Sequence, residues 1–348
     1  MRTGIVVEPL FLEHDMGPHH PESPQRLASI LAMLAEPSMD GRFARIPARD
    51  ATAKELAWIH TRGYVEEVAR TKGKPVVRLD GDTSTSPRSY EAALLAAGGT
   101  MEAVRRVWEG EVQNAFALVR PPGHHAEASR AMGFCLFNNV AIAAVYAREV
   151  LGAQRVLIVD WDIHHGNGTQ NSFYDRNDVL YASTHQFPYY PGSGDFYEVG
   201  YDEGTGFTIN FPMSGGYGDG DFTAILDRFI RPVAREYAPD LVLCSAGFDI
   251  YERDPLGAMS VTAAGFGVLA RILLEIAEEV CRGRIVFALE GGYNLVGLTE
   301  GVRAALNEMA REPAERSREL PRMLRAERTE QLLARAREVH RPYWRCLA

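Results

Sequence analysis

Short apolar runs separated by longer amphipathic stretches recur along most of the chain, and this alternation constrains the fold more than any other feature. Residues 4–8, 115–119, 155–159, 179–183, 207–211, 241–245 and 285–289 read as strands. Residues 24–34, 53–71, 87–109, 137–150, 221–236, 263–280 and 295–310 carry helical patterns. Strands that are apolar on both faces and alternate with helices predict an α/β fold, a central and mostly parallel sheet with helices on both faces. No repeat or Pro/Gly/Ser-rich linker divides the 348 residues, which suffice for one large domain. The expected organisation is a single domain over 1–311, followed by a charged helical extension over 312–348. That extension carries Leu320, Leu324, Leu332 and Leu333 and is expected to pack on the domain or on a partner subunit of a homo-oligomer, a dimer or tetramer.

Composition narrows the classes. A formal net charge of -9 argues against a dedicated nucleic-acid binder, which needs a basic face. No apolar stretch reaches the length of a membrane span, and the start carries no signal-peptide pattern. Cys135, Cys244, Cys281 and Cys346 are too dispersed for a Cys-x-x-Cys site, which favours reduced thiols and a cytoplasmic location.

The chemistry concentrates where strands end. The run 156–159 leads into Asp160-Trp161-Asp162-Ile163-His164-His165-Gly166-Asn167-Gly168. If the extended geometry persists, Asp160, Asp162 and His164 leave on one face, and open parallel sheets hold ligands at that end. Asp249, after the strand 241–245, falls at the same edge. Asp162, His164 and Asp249 make an Asp/His/Asp set with room for an exchangeable fourth ligand, as expected of a catalytic zinc. Aspartates at strand ends also commonly turn loops. His124 and His125 follow the strand 115–119 and could supply a proton carrier, with Asp160 and Asn167 as candidates to fix their tautomers. Glu290-Gly291-Gly292-Tyr293-Asn294 follows the strand 285–289, and the Tyr293 phenol would suit a developing oxyanion.

Arg-Pro-Pro-Gly-His-His, Gly133-Phe134-Cys135, Asp-Trp-Asp-Ile-His-His-Gly-Asn-Gly, Ser-Ala-Gly-Phe-Asp and Leu-Glu-Gly-Gly-Tyr-Asn together resemble the zinc-dependent histone deacetylase superfamily. That family includes bacterial histone-deacetylase-like amidohydrolases and acetylpolyamine amidohydrolases. Asn167 and the segment His20–Arg26 resemble its class II branch. The resemblance implies an arginase-like fold, one catalytic Zn2+ on Asp162, His164 and Asp249, and hydrolysis of an acyl-lysine or related small acylated amine to acetate and free amine. It further implies His125 as general base and acid, His124 as electrostatic helper, Asp160 and Asn167 as their partners, and Tyr293 as carbonyl polariser. Phe134 and Tyr190 resemble channel walls, with Gly133, Leu256 and Asp82 or Thr83 near the substrate. Arg26 resembles an arginine at an acetate exit. A structural K+ is implied at Asp160, Asp162, His164, Ser183 and Thr184.

Three other readings are weighed against this one. A two-metal ureohydrolase would need carboxylates where this chain has Gly166 and Tyr251. An acetylpolyamine hydrolase would place an acidic gatekeeper where this chain has Leu256, although Asp195 and Glu198 lie in a suitable loop. A non-catalytic acyl-binding protein would lack one of the reactive groups, and none is missing.

Overall fold

The computed structural model describes residues 2–311 and 327–348; residues 312–326, with Leu320 and Leu324, lie outside the described residues. Eight strands form one sheet: β1 (Gly4–Val6), β2 (Ala44–Arg45), β5 (Ala115–Ala117), β6 (Val156–Asp160), β7 (Val179–Gln186), β8 (Thr208–Met213), β9 (Leu241–Ala246) and β10 (Ile285–Leu289). Their order is β2-β1-β5-β10-β9-β6-β7-β8, and every pairing is parallel. All residues of β6, β9 and β10 are buried, consecutive positions included. Both faces are therefore covered, which is why these strands read as unbroken apolar runs. The two-residue strands β3 (Val77–Arg78) and β4 (Ser84–Thr85) pair antiparallel as a separate ribbon. Neither they nor β2 rises above loop composition in the sequence.

Helices flank the sheet: α1 (Pro24–Leu34), α2 (Ala53–Leu56), α3 (Arg62–Ala69), α4 (Ser89–Trp108), α5 (Asn139–Glu149), α6 (Asn167–Phe173), α7 (Asp219–Ile225), α8 (Arg231–Tyr237), α9 (Ala263–Cys281), α10 (Leu295–Met309) and α11 (Glu327–His340). The expected helix over 53–71 is two. Thr52 caps α2 in a reciprocal capping box with Glu55, and Thr61 caps α3, so a threonine restarts the chain within the one pattern. The expected helix over 221–236 is interrupted by a π turn at Leu226–Ile230. Among the extension's residues, α11 packs on β8 and α7, burying Leu332, Leu333 and Ala336, with Arg228 bidentate to Glu330 at 2.6 and 2.9 Å. No described helix is long and apolar enough to cross a membrane. All four cysteines are free thiols, three of them buried.

Candidate active site

Five adjacent strands, β5-β10-β9-β6-β7, deliver the reactive residues from their carboxyl ends. Asp160 is the last residue of β6, level with Ser245 on β9 and Ser183 on β7. The extended geometry stops there, contrary to the expectation for the following residues. Asp160 and the Asp162/His164 pair therefore serve different partners. Asp160 accepts from the His124 imidazole at 3.0 Å, the Tyr181 hydroxyl at 3.0 Å and the Asp162 N–H at 3.1 Å. Gly166 has no room for a side chain: a Cβ would lie 2.3 Å from Asp160 Oδ2 and 2.6 Å from the Tyr181 oxygen. The position that would hold a second metal's carboxylate is thus filled by the Asp160–His124 contact.

Asp162, His164 and Asp249 converge, each buried, with one ligand atom of each lying within 4.8 Å of the others. His164 Nδ1 is 3.2 Å from Asp162 Oδ1 and 3.1 Å from Asp249 Oδ2. The backbone pins both carboxylates: Gly291 N–H donates to Asp162 Oδ2 at 2.8 Å and Ile163 N–H to Asp249 Oδ1 at 2.8 Å. Burial and the Asp162 charge push Asp249 up to about 7. Two mutually repelling buried carboxylates beside an imidazole, aimed at one point, are a donor set suited to a single divalent cation.

The tandem histidines sit against this cluster, their ring centroids 4.0 Å apart. His124 is held up to about 10: burial opposes its charge, but Asp162 and Asp160 more than offset that. His125 is held well below the ordinary imidazole range by burial and by the neighbouring His124 and His164; its Nδ1 lies 2.8 Å from Asn167 Oδ1. Glu290, buried and raised to about 7 by burial, fastens the turn that carries the pair. It accepts from Gly123 N–H at 2.7 Å, His124 N–H at 3.2 Å and the Ser245 hydroxyl at 3.2 Å. The sequence motif contains Glu290, but nothing local marks it as the clamp on a turn 166 residues away.

A cavity of about 200 Å³ opens onto His125 and His164, lined also by Asp82, Gly133, Phe134, Tyr189, Tyr190, Leu256 and Tyr293. Phe134 adopts φ 70 and Gly133 φ 55, and a Cβ at Gly133 would meet His125 Cδ2 at 2.2 Å; the glycine lets the wall approach the imidazole. Asp82 accepts from Gly133 N–H at 3.1 Å and the Thr83 hydroxyl at 2.8 Å, and Thr83 accepts from Phe134 N–H at 3.0 Å. The Tyr190 ring meets His125 edge-on at 5.2 Å. Tyr189, which sequence reasoning passed over, stacks on His164 at 5.6 Å. Tyr293 is set by Asp254, which accepts its N–H at 2.6 Å, and meets Phe134 edge-on at 5.8 Å.

Arg26 lies beneath, its guanidinium 5.1 Å from the Tyr293 ring centroid, donating to the carbonyls of Gly292 and Glu290 at 2.7 and 2.5 Å. Its charge is met by Glu22, which also takes a bidentate pair from Arg120 at 2.6 Å each. Ser183 and Thr184 lie on β7 beside Asp160, the Thr184 hydroxyl donating to the Asp160 carbonyl at 3.4 Å.

A parallel sheet whose strand ends gather Asp/His/Asp, two carboxamide- or carboxylate-backed imidazoles and a phenol around one cavity has the donor set and proton carriers that metal-assisted hydrolysis on an α/β fold needs. Residues 20–309 match the model of the histone deacetylase domain. The chain is 37% identical to a probable deacetylase of Archaeoglobus fulgidus, with 99% of both chains covered. It is 43% identical to histone deacetylase 15 of Arabidopsis thaliana over 87% of this chain and 54% of the plant protein. The solved HD domain of HDA15 superposes with a TM-score of 0.91 at 38% identity, covering 99% of this chain and 96% of that one. The chain belongs to the histone deacetylase family, an enzyme family that acts on amide bonds and depends on zinc. It spans about half the length of the plant relative.

Proposed function

We propose that the chain is a zinc-dependent deacetylase that hydrolyses the amide of an acyl-lysine or a related acylated amine. The observation that carries this reading is the Asp162/His164/Asp249 cluster, which through His164 reaches a cavity shared with His125 and Tyr293. Asp162, His164 and Asp249 would hold a zinc ion, which would supply Lewis acidity towards the amide carbonyl and make a water molecule more acidic. The Tyr293 phenol, kept neutral by burial far above its ordinary range, donates a hydrogen bond to the carbonyl oxygen as it gains charge. His125, neutral at rest, takes the proton of the attacking water and returns it to the departing amine. His124, charged between Asp160 and Asp162, stays in place and offsets the negative charge that builds nearby. Phe134 and Tyr190 line an aliphatic stem, and Arg26 below Tyr293 suits a departing acetate. A structural K+ would take its oxygens from Asp160, Asp162, His164, Ser183 and Thr184.

The acyl-lysine reading is favoured over acetylpolyamine by the cavity rim. Leu256 lines it, the Oδ1 of Asp82 in the same lining is taken up by the Gly133 N–H and the Thr83 hydroxyl, and Glu198 is turned away to accept from Gln170 at 2.6 Å and from the Gly194 and Asp195 N–H groups. Turnover of acetyl-lysine peptides, acetylspermidine and acetylputrescine by the zinc-loaded enzyme tests this. Peptide turnover at least ~10-fold faster is expected, about 1.4 kcal/mol of discrimination in the transition state. Faster polyamine turnover refutes the substrate assignment, and no turnover of any amide refutes the activity.

A further inference from the structure

The carboxylate of Glu127 lies one side chain removed from the proton carrier, and the polarity of its contacts is informative. Its Oε1 accepts from Asn167 Nδ2 at 2.8 Å and from Asn171 Nδ2 at 3.2 Å, while Oε2 takes Arg130 at 3.2 Å. The backbone fixes where this carboxylate stands: Glu127 pairs with Arg130 in a β-bridge, and its carbonyl accepts from His60 at 2.8 Å. The opposite side of the same amide faces His125, Asn167 Oδ1 lying 2.8 Å from Nδ1.

An asparagine amide is nearly symmetric in shape and opposite in polarity at its two ends. Nothing in Asn167 itself decides which end meets the imidazole. An ionised carboxylate accepts only, so Glu127 demands the NH2 end, with the Met132 sulfur at 3.3 Å as a second, weaker acceptor on the same side. The carbonyl end is then turned to His125, whose Nδ1 must carry the hydrogen. A neutral imidazole has one N–H, so Nε2 is left with its lone pair in the cavity that His125 lines. The N-terminus of α6 is seated against the same turn, Thr169 N–H donating to the His124 carbonyl at 3.1 Å. Asn167, the first residue of that helix, cannot retreat from either partner.

We propose that Glu127 is a positioning residue that sets the amide orientation of Asn167 and, through it, the proton-accepting tautomer of His125. This rests on the reading of His125 as the general base. Replacing Glu127 by glutamine removes the enforced polarity, because the new amide can accept or donate. Asn167 can then turn its NH2 to His125, which places the hydrogen on Nε2 and removes the base.

The test combines Glu127→Gln, Asn167→Asp and the double variant, each zinc-loaded, with histidine-selective 15N NMR of the His125 tautomer beside steady-state kinetics on an acetyl-lysine peptide. Glu127→Gln is expected to populate the Nε2–H tautomer and to lower kcat by roughly 10–100-fold with KM unchanged, the scale of outer-shell changes. In the double variant the introduced amide donates to the introduced carboxylate, which is acceptor-only and so takes the His125 Nδ1–H as well. The Nδ1–H tautomer should return, and kcat should recover to the level of Asn167→Asp alone. A Glu127→Gln enzyme with unaltered tautomer and kcat overturns the proposal, as does a double variant no better than Glu127→Gln. If the wild-type enzyme turned over no amide, the functional reading would fail while the tautomer change would still be visible by NMR.

Discussion

Gly291→Ala is a small change whose effect the geometry of the Asp162/His164/Asp249 cluster sets. An added Cβ would stand 2.3 Å from Asp249 Oδ2 and 2.7 Å from Asp162 Oδ2, whereas real Cβ atoms essentially never approach closer than 3.0 Å. Asp249 would have to retreat by about 0.7 Å, several times the ±0.2 Å tolerance of a metal–ligand distance. Neither carboxylate is free to do so, since each is fully buried and held by a backbone N–H at 2.8 Å. Gly291 does not adopt the left-handed backbone, so an alanine there does not incur the strain of a positive φ. Overpacking of this kind destabilises by roughly 1–3 kcal/mol. Spent at the ligands, it weakens zinc by at least ~10–100-fold, or roughly 1.4–2.7 kcal/mol. Competition with a fluorescent chelator, backed by zinc analysis after dialysis, reads this directly, and circular dichroism checks that the fold persists. Wild-type zinc affinity in a folded Gly291→Ala protein would refute the placement of the ion.

Tyr293→Phe should keep zinc and KM but lose roughly 10²–10³ in kcat, the worth of one oxyanion donor, because Asp254 and Phe134 still hold the ring; unchanged turnover would contradict the phenol's role. Glu22→Gln breaks a buried carboxylate between Arg26 and Arg120, which should lower stability by ~3–5 kcal/mol in urea unfolding, and a loss below ~1 kcal/mol would count against the triad. His60 accepts the Asn138 N–H at 3.0 Å on Nε2 and donates from Nδ1 to the Glu127 carbonyl at 2.8 Å, so it is buried neutral and burial lowers it to about 4. Its folded pKa lies below its unfolded one, so its stabilisation is complete above pH ~6.5 and is lost as pH falls towards 4. His60→Gln, able to make both bonds, should therefore grow more stable relative to wild type across that window. A pH-independent difference would show that His60 does not carry the loss.

The strand-borne residues were legible because their neighbours are. The run 156–159 announces β6, and Asp162 and His164 follow within five residues. Asp249 and Tyr293 sit similarly close behind β9 and β10. What escaped depends on partners far apart in the chain. Glu22 meets Arg120 across 98 positions, and Glu290 reaches the turn at Gly123 across 167; no periodicity encodes such pairs. The start of α6 escaped for a different reason: Gly166 caps it without a side-chain hydrogen bond, so no Ser/Thr/Asp signal precedes Asn167. Asp82, expected with Thr83 near the substrate, lines the cavity, and its Oδ1 also holds the Gly133 N–H across 51 positions, a pairing that no loop sequence displays.

The order of the central strands has a kinetic consequence. Neighbours β9 and β6 place Asp249 beside Asp162 and His164, yet the chain must close a loop of 85 residues to bring His164 and Asp249 together. An ion that needs all three donors finds no complete set until this non-local pairing is made, and non-local strand pairings are the slow steps of sheet assembly. Zinc should therefore leave the rate of folding almost unchanged and slow the rate of unfolding, so that metal loading lengthens the lifetime of the native enzyme rather than hastening its birth.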